Sequence, residues 1–103
     1  MIYNDSFTSK SATEIIRLLG QRFRDYRLRM ALTQAEVATR AGVSVLTVVK
    51  FESGRAENVS MRTFLSLLRS IGSLGDMADV LPELPPDPYA TTHSRQRIKS
   101  SRP

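Results

Sequence analysis

The sequence predicts an all-α protein built on one small domain, and three observations lead there. Apolar residues between Ile15 and Leu84 recur at steps of three and four, the spacing that lines one face of a helix. Ser or Thr stands three residues before Glu at two places, and glycines stand where the following apolar stretches must end, so helix starts and stops are both marked. No strand-like alternation of apolar and polar residues and no internal repeat is present. With 103 residues, a second independent core would leave each half too short to bury enough apolar surface.

Residues 1–10 carry no sustained periodicity and are expected to form an irregular N-terminal arm, in which Ile2, Tyr3 and Phe7 can add a short strand to a partner. The domain proper is expected over residues 11–81. Ser11 and Glu14 have the spacing of a capping box, so a first helix begins near Ala12. Ile15, Leu18, Leu19, Phe23, Tyr26 and Met30 form its apolar stripe, and it runs to about Ala31. Thr33 and Glu36 repeat the capping box before Val37, Ala38 and Ala41, which sets a second helix over roughly Gln34 to Ala41. Gly42 tolerates a left-handed backbone and lets the chain turn sharply. Ser44 then caps a third helix from Val45 to about Ser53, stopped by Gly54.

A polar loop over residues 55–60 leads to a fourth helix from Ser60, which carries Phe64, Leu65, Leu67, Leu68 and Ile71 inward and is closed by Gly72. Leu74 to Leu81 is amphipathic enough for a short fifth helix. Pro82, Pro85, Pro86 and Pro88 then forbid helix and impose an extended run. Residues 82–103 are therefore a proline-rich linker and a basic tail, and from Tyr89 onward the sequence has so little to bury that disorder in the unbound protein is expected.

Charge narrows the partners. The net charge is +5, but residues 10–69 hold eleven basic side chains against five acidic ones, and residues 76–87 hold four acidic and none basic. Arg95, Arg97, Lys99 and Arg102 make the tail positive again. That segregation suits an anionic partner on the central segment and the tail. The absence of cysteine excludes disulfides, thiolate metal sites and thiol nucleophiles, and fits a reducing compartment. Neither a signal peptide nor a membrane-spanning stretch is legible, so a soluble intracellular protein with no membrane partner is expected. The single histidine, His93, falls in the tail, and no phosphate loop, metal-ligand spacing or close carboxylate pair stands out. No enzyme activity, metal or cofactor is expected.

Two short helices joined by Ala41-Gly-Val-Ser44 match helix-turn-helix spacing: a supporting helix, a tight glycine turn, and a helix able to lie in the DNA major groove. Ala38 is small where the helices approach, and Val43, Val48 and Phe51 are assigned to packing. The segments Leu32-Thr-Gln-Ala-Glu-Val-Ala-Thr-Arg-Ala-Gly-Val-Ser44 and Val48-Val-Lys-Phe-Glu-Ser-Gly54 closely resemble the Cro/repressor (Xre) family, and the resemblance covers about residues 17–72. It implies a five-helix, lambda-repressor-like DNA-binding domain and a homodimer on double-stranded DNA with a palindromic operator. The corresponding location is the bacterial cytoplasm, at the nucleoid.

The resemblance also assigns positions. Val45, Leu46, Val49 and Lys50 fall where family members read base edges. Val45 and Leu46 depart from the glutamine-rich phage version; apolar side chains touch thymine methyls, which favours an A·T-rich site, and Lys50 becomes the polar contact to guanine. Gln34 matches the family's phosphate-clamping Gln, and Ser44, Thr47, Arg55, Arg62 and Thr63 suit further phosphate contacts. Arg27 and Glu52 occupy ion-pair positions of relatives, a structural role. Phe64 to Pro88, followed by a basic tail, is similar to the C-terminal part of HipB-type regulators, which implies a HipA-like serine/threonine kinase toxin as partner and repression of a shared toxin–antitoxin operon. Its apolar residues Leu74, Met77, Val80, Leu81 and Leu84 are expected across a dimer axis. A stand-alone phage-type repressor and a protein-interaction adaptor on the same fold are the alternatives.

Overall fold

The structure is a computed structural model that describes residues 5–89. Its elements are α1 (Asp5–Thr8), α2 (Ala12–Arg29), α3 (Gln34–Ala41), α4 (Val45–Glu52), α5 (Met61–Ser70), a 3-10 turn (Leu74–Asp76) and α6 (Met77–Val80). The fold is all-α, with no strand among the described residues. The five helices of the domain are α2 to α5 and the short 3-10/α6 unit. The expected strand-forming role of Ile2 and Tyr3, and the tail beyond Tyr89, lie outside the described residues.

The two capping boxes are formed. The Ser11 Oγ accepts the Glu14 N–H at 3.1 Å while the Glu14 carboxylate accepts the Ser11 N–H at 2.8 Å, and Thr33 and Glu36 do the same at 3.0 and 2.8 Å. Ser44 and Ser60 cap α4 and α5 through their hydroxyls. The end of α3 is set by Gly42 at φ 71°, after which the Val43 N–H reaches back to the Ala38 carbonyl at 3.0 Å and the chain restarts as α4.

Four expectations are corrected. Residues 5–8 are a helical turn, not irregular chain, and the Phe7 ring lies under the Arg22 guanidinium, 5.1 Å from its centroid. Helix α2 stops at Arg29 because Ala31 takes the left-handed conformation (φ 58°) and closes the helix with bonds from Leu32 N–H to Arg27 O and from Ala31 N–H to Leu28 O. The sequence gives no warning, since alanine stands where glycine is usual. The stretch 74–81 is a 3-10 turn followed by a single α turn that ends at Val80. Leu81 precedes Pro82, whose ring disfavours helical backbone before it.

The inward face of α2 also differs from the expectation. Phe23, Gly20 and Arg27 are buried and Ile16 and Leu19 pack against the core, whereas Tyr26 and Met30 are on the outside. The buried face is rotated from the hydrophobic stripe because two of its positions are not apolar. A Cβ on Gly20 would stand 1.9 Å from the Phe51 carbonyl oxygen, so only glycine lets α2 cross α4 this closely. Around that crossing Phe51 meets Phe23 (centroids 5.7 Å apart, tilted) and Phe64 (6.3 Å, edge-on), and Val37, Ala38, Val48, Leu67 and Ile71 complete the core. Leu65 is only half-buried and lines a surface cleft with Met61, Arg62 and Arg69.

Candidate nucleic-acid interface

Helix α4 is divided along its length. Val48, Phe51 and Glu52 point inward and are buried, which holds the helix against α2 and α3. Val45 and Leu46 are 44% and 57% exposed, Lys50 is exposed, and Val49 is half-buried between the two faces. All four base-reading candidates thus lie on or beside the outward face. Burying two apolar side chains of this size is worth ~1.5–3 kcal/mol each, so leaving Val45 and Leu46 in water is a cost that a partner surface removes.

The inner face is locked by a buried ion pair. The Arg27 guanidinium donates to both Glu52 carboxylate oxygens at 2.7 Å and to the Leu32 carbonyl at 2.8 Å. This fork geometry satisfies most of the groups that desolvation would otherwise penalise. The hydrogen bond to Glu52 raises the Arg27 pKa further, so the guanidinium stays charged. The Gln34 Nε2 donates to the Glu52 Oε1 at 3.1 Å. That amide nitrogen carries a second proton, and the bond to Glu52 fixes the side chain at the start of α3.

At the C-terminal end of α4, Thr47, Lys50, Arg55 and Thr63 line one hollow of about 430 Å³, together with Glu57, Asn58 and Ser60. Arg55 is positioned by its Nε bond to the Ser53 Oγ at 2.9 Å, and the Arg55 N–H bonds the Lys50 carbonyl at 3.0 Å, so the loop is tied to the helix it follows. The two terminal guanidinium nitrogens of Arg55 donate to no protein atom among the described residues. Arg62 is exposed on the first turn of α5 and faces a separate cleft. The Ser44 hydroxyl is engaged as a cap, accepting the Thr47 N–H at 3.1 Å and sharing a 2.9 Å bond with the Thr47 hydroxyl. Asn58 and Glu57 are not legible as site residues in the sequence: they sit in a polar loop whose composition does not show that it folds back beside Lys50. Of the expected dimer residues, Leu74 and Met77 are half-buried while Val80, Leu81 and Leu84 are exposed.

A capped supporting helix, a left-handed glycine turn and a second capped helix split into buried and exposed faces define a helix-turn-helix domain, the class that presents its second helix to DNA. The comparison with protein families agrees. Residues 18–81, more than half of the chain, match the helix-turn-helix domain family, and the protein belongs to it. The match concerns that domain alone and carries nothing about a kinase partner or a toxin–antitoxin operon. No curated protein matches the chain. No helix among the described residues is long and apolar enough to cross a membrane.

Proposed function

We propose that this protein is a sequence-specific transcriptional repressor that binds a palindromic operator as a homodimer, with α4 of each copy in successive major grooves. The observation that carries the reading is the outward face of α4, where Val45 and Leu46 stand unburied beside the exposed ammonium of Lys50. Arg55, Arg62, Thr63 and the anchored Gln34 flank that face as phosphate contacts. Two apolar side chains and one cation suit thymine methyls and a guanine edge. Within this reading, repression of a toxin–antitoxin operon and binding of a HipA-like kinase rest on the resemblance of residues 64–88.

The experiment is a mobility-shift titration on the DNA upstream of the gene, with a scrambled duplex as control, at several salt concentrations. Specific binding at least a thousandfold tighter than on the control, and falling steeply with salt, is the expected result. Equal affinity for both duplexes would remove the repressor reading and leave an adaptor on the same fold. Co-purification from the native operon tests the kinase separately.

A further inference from the structure

Stability alone is a weak reason for the Arg27–Glu52 pair, because well-packed apolar residues of the same volume often hold a core as firmly as a buried ion pair. The pair also holds Gln34. The Glu52 Oε1 accepts from the Arg27 Nη2 at 2.7 Å and from the Gln34 Nε2 at 3.1 Å. The Arg27 Nη1 donates at 2.8 Å to the carbonyl of Leu32, two residues before Gln34. One buried pair therefore ties both the chain entering α3 and the first side chain of α3 to the last residue of α4.

We propose that Glu52 is a positioning residue for DNA binding, pinning the Gln34 amide so that its nitrogen is the atom offered to a phosphate oxygen. This role rests on the repressor reading above, in which Gln34 contacts a phosphate, and adds what sets that contact. A carboxylate oxygen offers only lone pairs, so the amide turns its nitrogen, not its oxygen, toward Glu52. One proton on that nitrogen is engaged by Glu52, and the second has no acceptor among the described residues. An unpinned glutamine amide is free to turn over and present its oxygen, which a phosphate repels. Pinning it beforehand also removes part of the side-chain entropy that binding would otherwise cost. Glu52 is only 5% exposed while Gln34 is half-buried, so Glu52 acts through Gln34 and not on the ligand itself. Because the anchor is a residue of α4, it fixes the spacing between Gln34 and the reading helix.

The free protein gives the first test. By NMR of the isotope-labelled full chain, the side-chain amide of Gln34 should exchange its protons more slowly and move less than that of Gln21, which stands exposed on α2. Equal mobility of the two amides overturns the pinning and leaves the repressor reading standing.

The second test is a double-mutant cycle on the duplex upstream of the gene. Glu52→Ala alone strands the Arg27 charge, so the anchor is removed by Arg27→Leu and Glu52→Met together, with helical circular dichroism checked first. Gln34→Ala should weaken binding about tenfold in the wild type and about twofold or less once the pair is gone. Replacing single phosphates by methylphosphonate should cost the wild type at one position where it costs neither the pair variant nor Gln34→Ala. Losses that multiply, as those of independent sites do, reduce the pair to a structural role and overturn the proposal. Unchanged binding by Gln34→Ala overturns it too, while a continued dependence on Lys50 keeps the repressor reading. A wild type that binds no duplex overturns that reading and the positioning role together.

Discussion

The two faces of α4 are made of similar residue types and obey different constraints. The inner face, Val48, Phe51 and Glu52, is specified by its neighbours: each side chain has a partner, down to the Gly20 backbone that approaches the Phe51 carbonyl and the two oxygens of Glu52 that Arg27 satisfies. The outer face, Val45, Leu46 and Lys50, has no partner of that kind among the described residues, yet it too is rich in carbon. Stability accounts for the first face and not for the second. The proposed DNA ligand would account for a helix that keeps apolar residues on its exposed side, at the position where the family presents its reading helix.

The contrast is sharpest at Glu52. Replacing it with Ala strands the Arg27 charge in the interior, and a destabilisation of about 3–5 kcal/mol in urea unfolding is expected. Exchanging both Arg27 and Glu52 for well-packed Met or Leu should recover most of that stability; failure to recover would mean that the pair does more than satisfy itself. Gly20→Ala comes next, at ~3 kcal/mol, because the obstructing atom is a backbone oxygen that cannot rotate away. A change smaller than about 0.5 kcal/mol, the range of an inconsequential surface substitution, would show that α2 can slide on α4.

The outer face should respond in the opposite sense. Leu46→Ala is expected to change stability by less than about 0.5 kcal/mol. On operator DNA, replacing thymine by uracil should cost the wild type ~0.8 kcal/mol for each methyl group that Leu46 covers and cost the Leu46→Ala variant nothing at the same base. Equal costs in both proteins would assign the methyl group to another residue. The smallest effect is expected at the start of α2, remote from both faces. The backbone N–H of Ser11 holds the Glu14 carboxyl below its ordinary pKa. Its contribution is present above the unfolded-state value and disappears as pH falls through the lowered folded value, so helix-start amide protection should weaken only in acid. Weakening toward alkaline pH would contradict that sign.

The sequence is legible where chemistry is local. The bounds of α3, and the start of α4, are written in Thr33, Glu36, Gly42 and Ser44, whose caps and turn need no distant partner. The Arg27–Glu52 pair is accessible through resemblance. Legibility ends where a distant neighbour decides. Gly20 and Arg27 carry no hydrophobic signal, so apolar spacing alone places the inward face of α2 too far round, toward Tyr26 and Met30. Ala31 ends α2 in a conformation glycine usually marks. Val80, Leu81 and Leu84 read as apolar residues to be buried, yet they stand exposed, with nothing among the described residues covering them.

If the outer face of α4 reads bases, Lys50→Ala will separate operator from random duplexes. The expected result is binding weakened by ~1–3 kcal/mol on the operator, relaxed preference at one base pair, and only a small change on random DNA. Equal weakening on both would make Lys50 a phosphate contact and take base reading away from this face.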